Sequence, residues 1–119
     1  MATILIVDDS PSQIAHFTKI LEKNGFSYLV AEDGASGVAL AKSSKPDLIL
    51  MDVVMPELNG FQATRKLTQD PETRDIPVVM VTTKDQETDR VWGQRQGAKG
   101  FMVKPVEEAE LLAEIRKYL

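Results

Sequence analysis

Four short apolar runs decide what this chain can fold into: residues 3–7 (TILIV), 48–51 (LILM), 77–81 (PVVMV) and 101–103 (FMV). None alternates with polar residues as a strand with one wet face does. Each therefore suits burial on both faces, as in a parallel sheet covered by helices. A fifth stretch, 26–31 (FSYLVA), is a weaker strand candidate. Between the runs the spacing turns helical. Ser10-Pro11 starts a first helix, with serine as the cap and proline in the first position; Ile14, Phe17 and Leu21 share a face, and Asn24-Gly25 supplies the stop. A second helix is expected over 35–43, packing Ala35, Val38, Ala39 and Ala41 inward. A third begins near Asn59-Gly60, turns Phe61 and Leu67 to the core, and ends before Asp70-Pro71. The fourth, over 85–96, is polar apart from Val91 and Trp92; the fifth, over 107–118, carries Leu111, Leu112 and Ile115. Strand and helix alternate five times, which predicts an α/β fold: a five-stranded parallel sheet with five alternating helices on its two faces.

The 119 residues show no linker, low-complexity tract or repeat, so one domain is expected over 1–119. Surface scaling gives such a domain roughly 6,400 Å² of folded surface. Eighteen acidic against fourteen basic side chains leave a net charge of −4, which argues against nucleic acid as a partner. With no cysteine, disulfides, thiolate metal sites and a cysteine nucleophile are excluded. Apolar runs of only four residues predict no membrane insertion, and Met1-Ala2-Thr3 leads into the first run without a signal peptide, so a cytoplasmic location is expected.

The chemistry collects where the buried runs end. The first ends in Asp8-Asp9, the third strand in Asp52, the fourth in Thr82-Thr83 and the fifth in Lys104-Pro105. Carboxyl ends of an open parallel sheet lie along one edge, where ligands of such folds bind. Any one of these residues alone is most simply a turn residue, a cap or an exposed lysine; their coincidence points to a site. Two carboxylates about 5 Å apart repel by roughly 3 kcal/mol at an effective dielectric near 20. Three beside a single Lys104 require either raised pKa values or a hard divalent cation, for which Mg²⁺ is the natural choice where phosphate takes part. A carboxylate nucleophile, a cation, a hydroxyl and an ammonium make a phosphoryl-accepting site.

Asp8-Asp9, the segment from Leu50 through Asp52 and Val54 to Pro56 with Asn59-Gly60, Val81-Thr82 and Lys104-Pro105 together resemble the receiver domain of two-component response regulators. The match spans the whole chain and implies a single receiver domain with no output domain, similar to the stand-alone, chemotaxis-type (CheY-like) regulators. Residues 59–65 and 82–89 resemble more narrowly the PilH-type regulators of type IV pilus twitching motility. The implied fold is doubly wound and flavodoxin-like, with strand order 2-1-3-4-5. The resemblance further implies that Asp52 accepts a phosphoryl group from a histidine kinase or its phosphotransfer domain. Asp9, Asp52 and the Val54 backbone carbonyl would hold Mg²⁺, and Asp8 would act through a water. Lys104 and Thr82 would meet phosphoryl oxygens, with Thr82 and Phe101 forming the switch. The implied effector surface is the face of the fourth helix, fifth strand and fifth helix. Such a chain is no enzyme beyond losing its own phosphate, at a rate the family varies at Val54 and Lys84. Lys104-Pro105 is a candidate cis peptide.

Two other roles compete. A phosphate sink for a shared kinase needs the same residues. A Mg²⁺-dependent phosphatase of the haloacid-dehalogenase type needs a second Asp two residues after the nucleophile, where this chain has Val54. His16, the single histidine, reads as a surface residue. Trp92 fits either the core or a partner-facing surface, the second being favoured.

Overall fold

The computed structural model describes residues 2–55, 57–83 and 86–119. Five strands and five helices alternate: β1 (Thr3–Val7), α1 (Pro11–Lys23), β2 (Ser27–Ala31), α2 (Gly34–Ser44), β3 (Leu48–Met51), α3 (Gly60–Gln69), β4 (Val78–Thr82), α4 (Glu87–Arg95), β5 (Gly100–Val103) and α5 (Glu108–Arg116). All pairings are parallel, in the order β2-β1-β3-β4-β5, which is the doubly wound order expected. The exposed surface, 6258 Å², is close to the value expected from size.

Side chains alternate across the pleat, so each apolar run feeds two cores. Ile4, Ile6, Leu48, Leu50, Val79 and Val81 meet Phe17 and Leu21 of α1 and Leu111 and Ile115 of α5. Leu5, Val7, Ile49, Met51 and Val78 meet Ala41 of α2 and Ala63 and Leu67 of α3. A smaller cluster of Val53, Met80, Ala98, Phe61 and Phe101 lies under α4.

Several boundaries differ from the expectation. β4 runs one residue later than 77–81, because Thr82 pairs with Val103 and so belongs to the ladder. The expected start of the fourth helix at Asp85 lies outside the described residues, as do Pro56 and Lys84. On α2, Ala35 and Ala39 are exposed rather than packed. The inward face is made by Gly34, Gly37 and Ala41, since a Cβ at Gly37 would come within 2.8 Å of Val7 Cγ2. Glycine buries a helix face without registering as apolar, which is why spacing alone misplaced it. Ser10 caps α1 with Pro11 in its first turn, and Gly25 follows at φ 80°. The Lys104-Pro105 peptide is cis.

Candidate functional site: an acidic cluster at the carboxyl edge of the sheet

Backbone hydrogen bonds at the carboxyl ends of the strands set the site. Asp8 N donates to Ala31 O (3.0 Å), Asp52 N to Val7 O (2.9 Å) and Lys104 N to Thr82 O (2.8 Å). The first residue beyond β1, β3 and β5 is thereby held at one edge, as the order of the strands requires. One carboxylate oxygen from each of Asp8, Asp9 and Asp52 falls within 4.8 Å of the others. Asp8 and Asp52 are buried and Asp9 is exposed, so the cluster is open on one side.

Lys104 reaches in from beyond β5. Its Nζ donates to Asp8 Oδ2 at 2.7 Å and lies 3.6 Å from Asp52 Oδ1, with 8% of the side chain exposed. Asp8 Oδ1 accepts from Ser10 N at 2.9 Å, which ties the carboxylate to the start of α1. Burial is the main reason that the Asp52 carboxyl is pushed from 3.8 up to about 6. The Asp8 charge adds to this, while Lys104 and the Val53 and Val54 N–H groups pull the other way. Among the described residues one ammonium thus fails to compensate the acids around it, which is the charge imbalance anticipated from the sequence. Three hard oxygen donors converging on an under-compensated, one-sided opening form a donor set suited to a small divalent cation.

Thr82 is fully buried at the end of β4, and Thr83 beside it is exposed. Val54 is 53% exposed. Phe101 is half-buried; it packs with Val53, Met80 and Ala98 and lies under the Arg90 guanidinium at 5.0 Å. The structure therefore brings Asp8, Asp9, Asp52 and Lys104 together, and Phe101 packs in the cluster under α4.

Two contributors were not legible as such. Gly60 opens α3 against the Asp52 backbone carbonyl, where any Cβ would collide; its N–H donates to Val53 O at 3.0 Å. The Asn59-Gly60 pair marked a helix start, but nothing local showed that the helix end abuts Asp52. His16 is exposed as expected, yet its Nε2–H donates to the Val106 carbonyl at 2.7 Å, linking α1 to the segment after Lys104-Pro105.

The chain is similar to known proteins in sequence and fold. The response regulator receiver domain family model matches residues 4–116. Protein PilH of Pseudomonas aeruginosa is 61% identical over 119 residues, covering 100% of this chain and 98% of PilH. The chemotaxis protein CheY4 of Vibrio cholerae superposes with a TM-score of 0.94 at 31% identity, covering 100% of this chain and 99% of CheY4. The receiver domain of the sensor histidine kinase PA1611 from Pseudomonas aeruginosa, solved with a magnesium ion coordinated in its active-site cleft, superposes at 0.91 with 28% identity. It covers 98% of this chain and 96% of that domain. With the family model over nearly all of its length and the same five-stranded CheY-like fold, the chain belongs to the response regulator receiver domain family.

Proposed function

We infer that the chain is a phosphoacceptor of two-component signalling, a single receiver domain over 1–119 that takes a phosphoryl group on Asp52 from a histidine kinase or its phosphotransfer domain. The observation that carries this is the convergence of Asp52 with Asp8, Asp9 and Lys104 at the sheet edge. An Asp52 carboxylate oxygen attacks phosphorus, the P–N bond of the phosphohistidine breaks, and the departing imidazole nitrogen takes a proton. Asp9, Asp52 and the Val54 carbonyl would hold Mg²⁺, with Asp8 acting through a water, and the ion supplies charge neutralisation in a loose in-line transfer. Lys104 pairs with one phosphoryl oxygen and Thr82 with another. The dianion so formed favours the conformer that brings the Thr82 hydroxyl inward, with Phe101 following.

The likeness to PilH supports a role in type IV pilus twitching motility or related chemotaxis-like signalling in the cytoplasm. The effector would be a protein bound at the α4, β5 and α5 face. Family members are regulators rather than enzymes of turnover, and autodephosphorylation is the one reaction assigned here beyond acceptance. No helix is long and apolar enough to cross a membrane among the described residues. The test is incubation with acetyl phosphate or a phosphorylated kinase in Mg²⁺, read by intact mass. Wild type should gain one phosphoryl group and Asp52→Asn none; an adduct on the variant, or none on wild type, overturns the assignment.

A further inference from the structure

Helix α4 has two differently furnished flanks. Towards α5, Arg90 covers Phe101 and Gln94 borders a 240 Å³ recess with Glu114 and Tyr118. The flank towards α3 is centred on Trp92, whose ring meets Phe61 of α3 edge-on at 6.4 Å between centroids. Trp92 is 47% exposed and its neighbour Val91 39% exposed, so two of the four exposed large apolar side chains among the described residues are consecutive. Two depressions, of 380 and 340 Å³, adjoin here and share Trp92 and Arg95. The first runs on to Arg65 and Thr68 of α3; the second is bordered by Glu87 and Val91.

The charges at this groove oppose those of the chain as a whole. Arg65 and Arg95 are exposed on its two sides, and neither has a carboxylate within ion-pair distance among the described residues. Glu87, the acid at the border, lies 3.9 Å from Arg90. A net −4 chain thus presents one aromatic anchor flanked by two uncommitted guanidiniums. Arginine and tryptophan are the residues that dominate binding energy at protein interfaces.

We propose that the α3–α4 groove around Trp92 docks an acidic amphipathic helix of a partner protein, as a surface separate from the α4, β5 and α5 face. One depression follows α4 from Glu87 to Arg95 and the other continues from Arg95 to Arg65 and Thr68 of α3. Apolar side chains of a docked helix would enter them on either side of Trp92, and Arg65 and Arg95 match acidic residues flanking those anchors. An anionic membrane is disfavoured because the chain's own net charge repels it and only Trp92 and Val91 protrude. The groove is read independently of phosphoryl acceptance at Asp52.

The single tryptophan makes the test direct. The probe is an amidated peptide of about 16 residues with Leu at helical i, i+3/i+4 and i+7 spacing and Glu elsewhere. Its controls are the same composition with the spacing scrambled, and a Lys-for-Glu version. Saturating binding should shift Trp92 emission and perturb amide resonances confined to 61–69 and 87–97. The double variant R65E/R95E, with unchanged melting temperature, should bind about tenfold or more weakly, and Trp92→Ala should lose the amide perturbations. Equal binding of a control peptide, perturbations centred on Arg90 and Lys117, or absence of saturation would overturn the proposal. So would Trp92 shifts produced only by phosphatidylglycerol vesicles or only by self-association of the chain.

Discussion

At the scale of residues, the site is a balance of charges that does not close. Among the described residues Lys104 is the one cation in contact with two buried acids, so Lys104→Met leaves Asp8 buried with its 2.7 Å partner gone. Breaking such a pair is expected to cost about 3 kcal/mol without metal, measured by urea unfolding. Asp52 has the opposite sign. Its carboxyl sits at about 6 in the folded chain against an ordinary 3.8. Between those values the folded chain keeps a proton that the unfolded chain has released. Stability of the metal-free protein therefore falls as pH rises through that window, and the loss persists above it. Asp52→Asn removes the penalty. It should raise metal-free stability by on the order of 2 kcal/mol at about pH 7.5 and change little at about pH 4. Equal effects at both pH values would show that the charge is not the cause. Val54, open to solvent beside the acids, has no group to hydrogen-bond an attacking water. Val54→Asn is accordingly expected to shorten the aspartyl-phosphate lifetime in a decay assay, and unchanged decay would remove this role from Val54.

At the scale of elements, helix α3 is the part most tightly constrained by the site. Asn59 and Gln62 form a reciprocal cap, each side chain at 3.0 Å from the other's backbone N–H, and Asn59→Ala should cost about 1 kcal/mol. Gly60 is a different case, because a Cβ there meets the Asp52 backbone rather than solvent. Gly60→Ala must push the helix end or Asp52 aside. It should lower Mg²⁺ affinity far more than Asn59→Ala does, when both are titrated by calorimetry. The sequence located the helix start through the Asn59-Gly60 pair but showed only half of the reason for it. Helix α2 is the complementary lesson. Ala35 and Ala39 looked like part of the packed face beside Ala41, whereas Gly34 and Gly37 take their place, since β1 and the Leu58 backbone approach too closely for any side chain. Helix α4 came through as polar with Val91 and Trp92 as exceptions, and only its position beside α3 shows which way Trp92 faces.

At the scale of the whole molecule, one strand order explains why distant residues work together. With β1 and β3 adjacent and β4 and β5 following, Asp8, Asp52 and Lys104 leave the sheet at one edge although 96 positions separate the first from the last. A cation bound there by the folded chain alone should stabilise it by about 2.7 kcal/mol at a hundredfold excess over its dissociation constant. The check is a rise in melting temperature with Mg²⁺ that Asp52→Asn abolishes. The sequence by itself determined the alternation of buried strands and helices, both faces of the sheet and the residues at each strand end, because hydrophobic periodicity and turn chemistry act locally. What the tertiary structure decided was contact. It set the 2.7 Å pairing of Lys104 with Asp8, the raised carboxyl of Asp52, the glycines that admit close backbones, and the direction in which Trp92 points. Those depend on burial and on distances between segments far apart in the chain, and no local pattern carries that information.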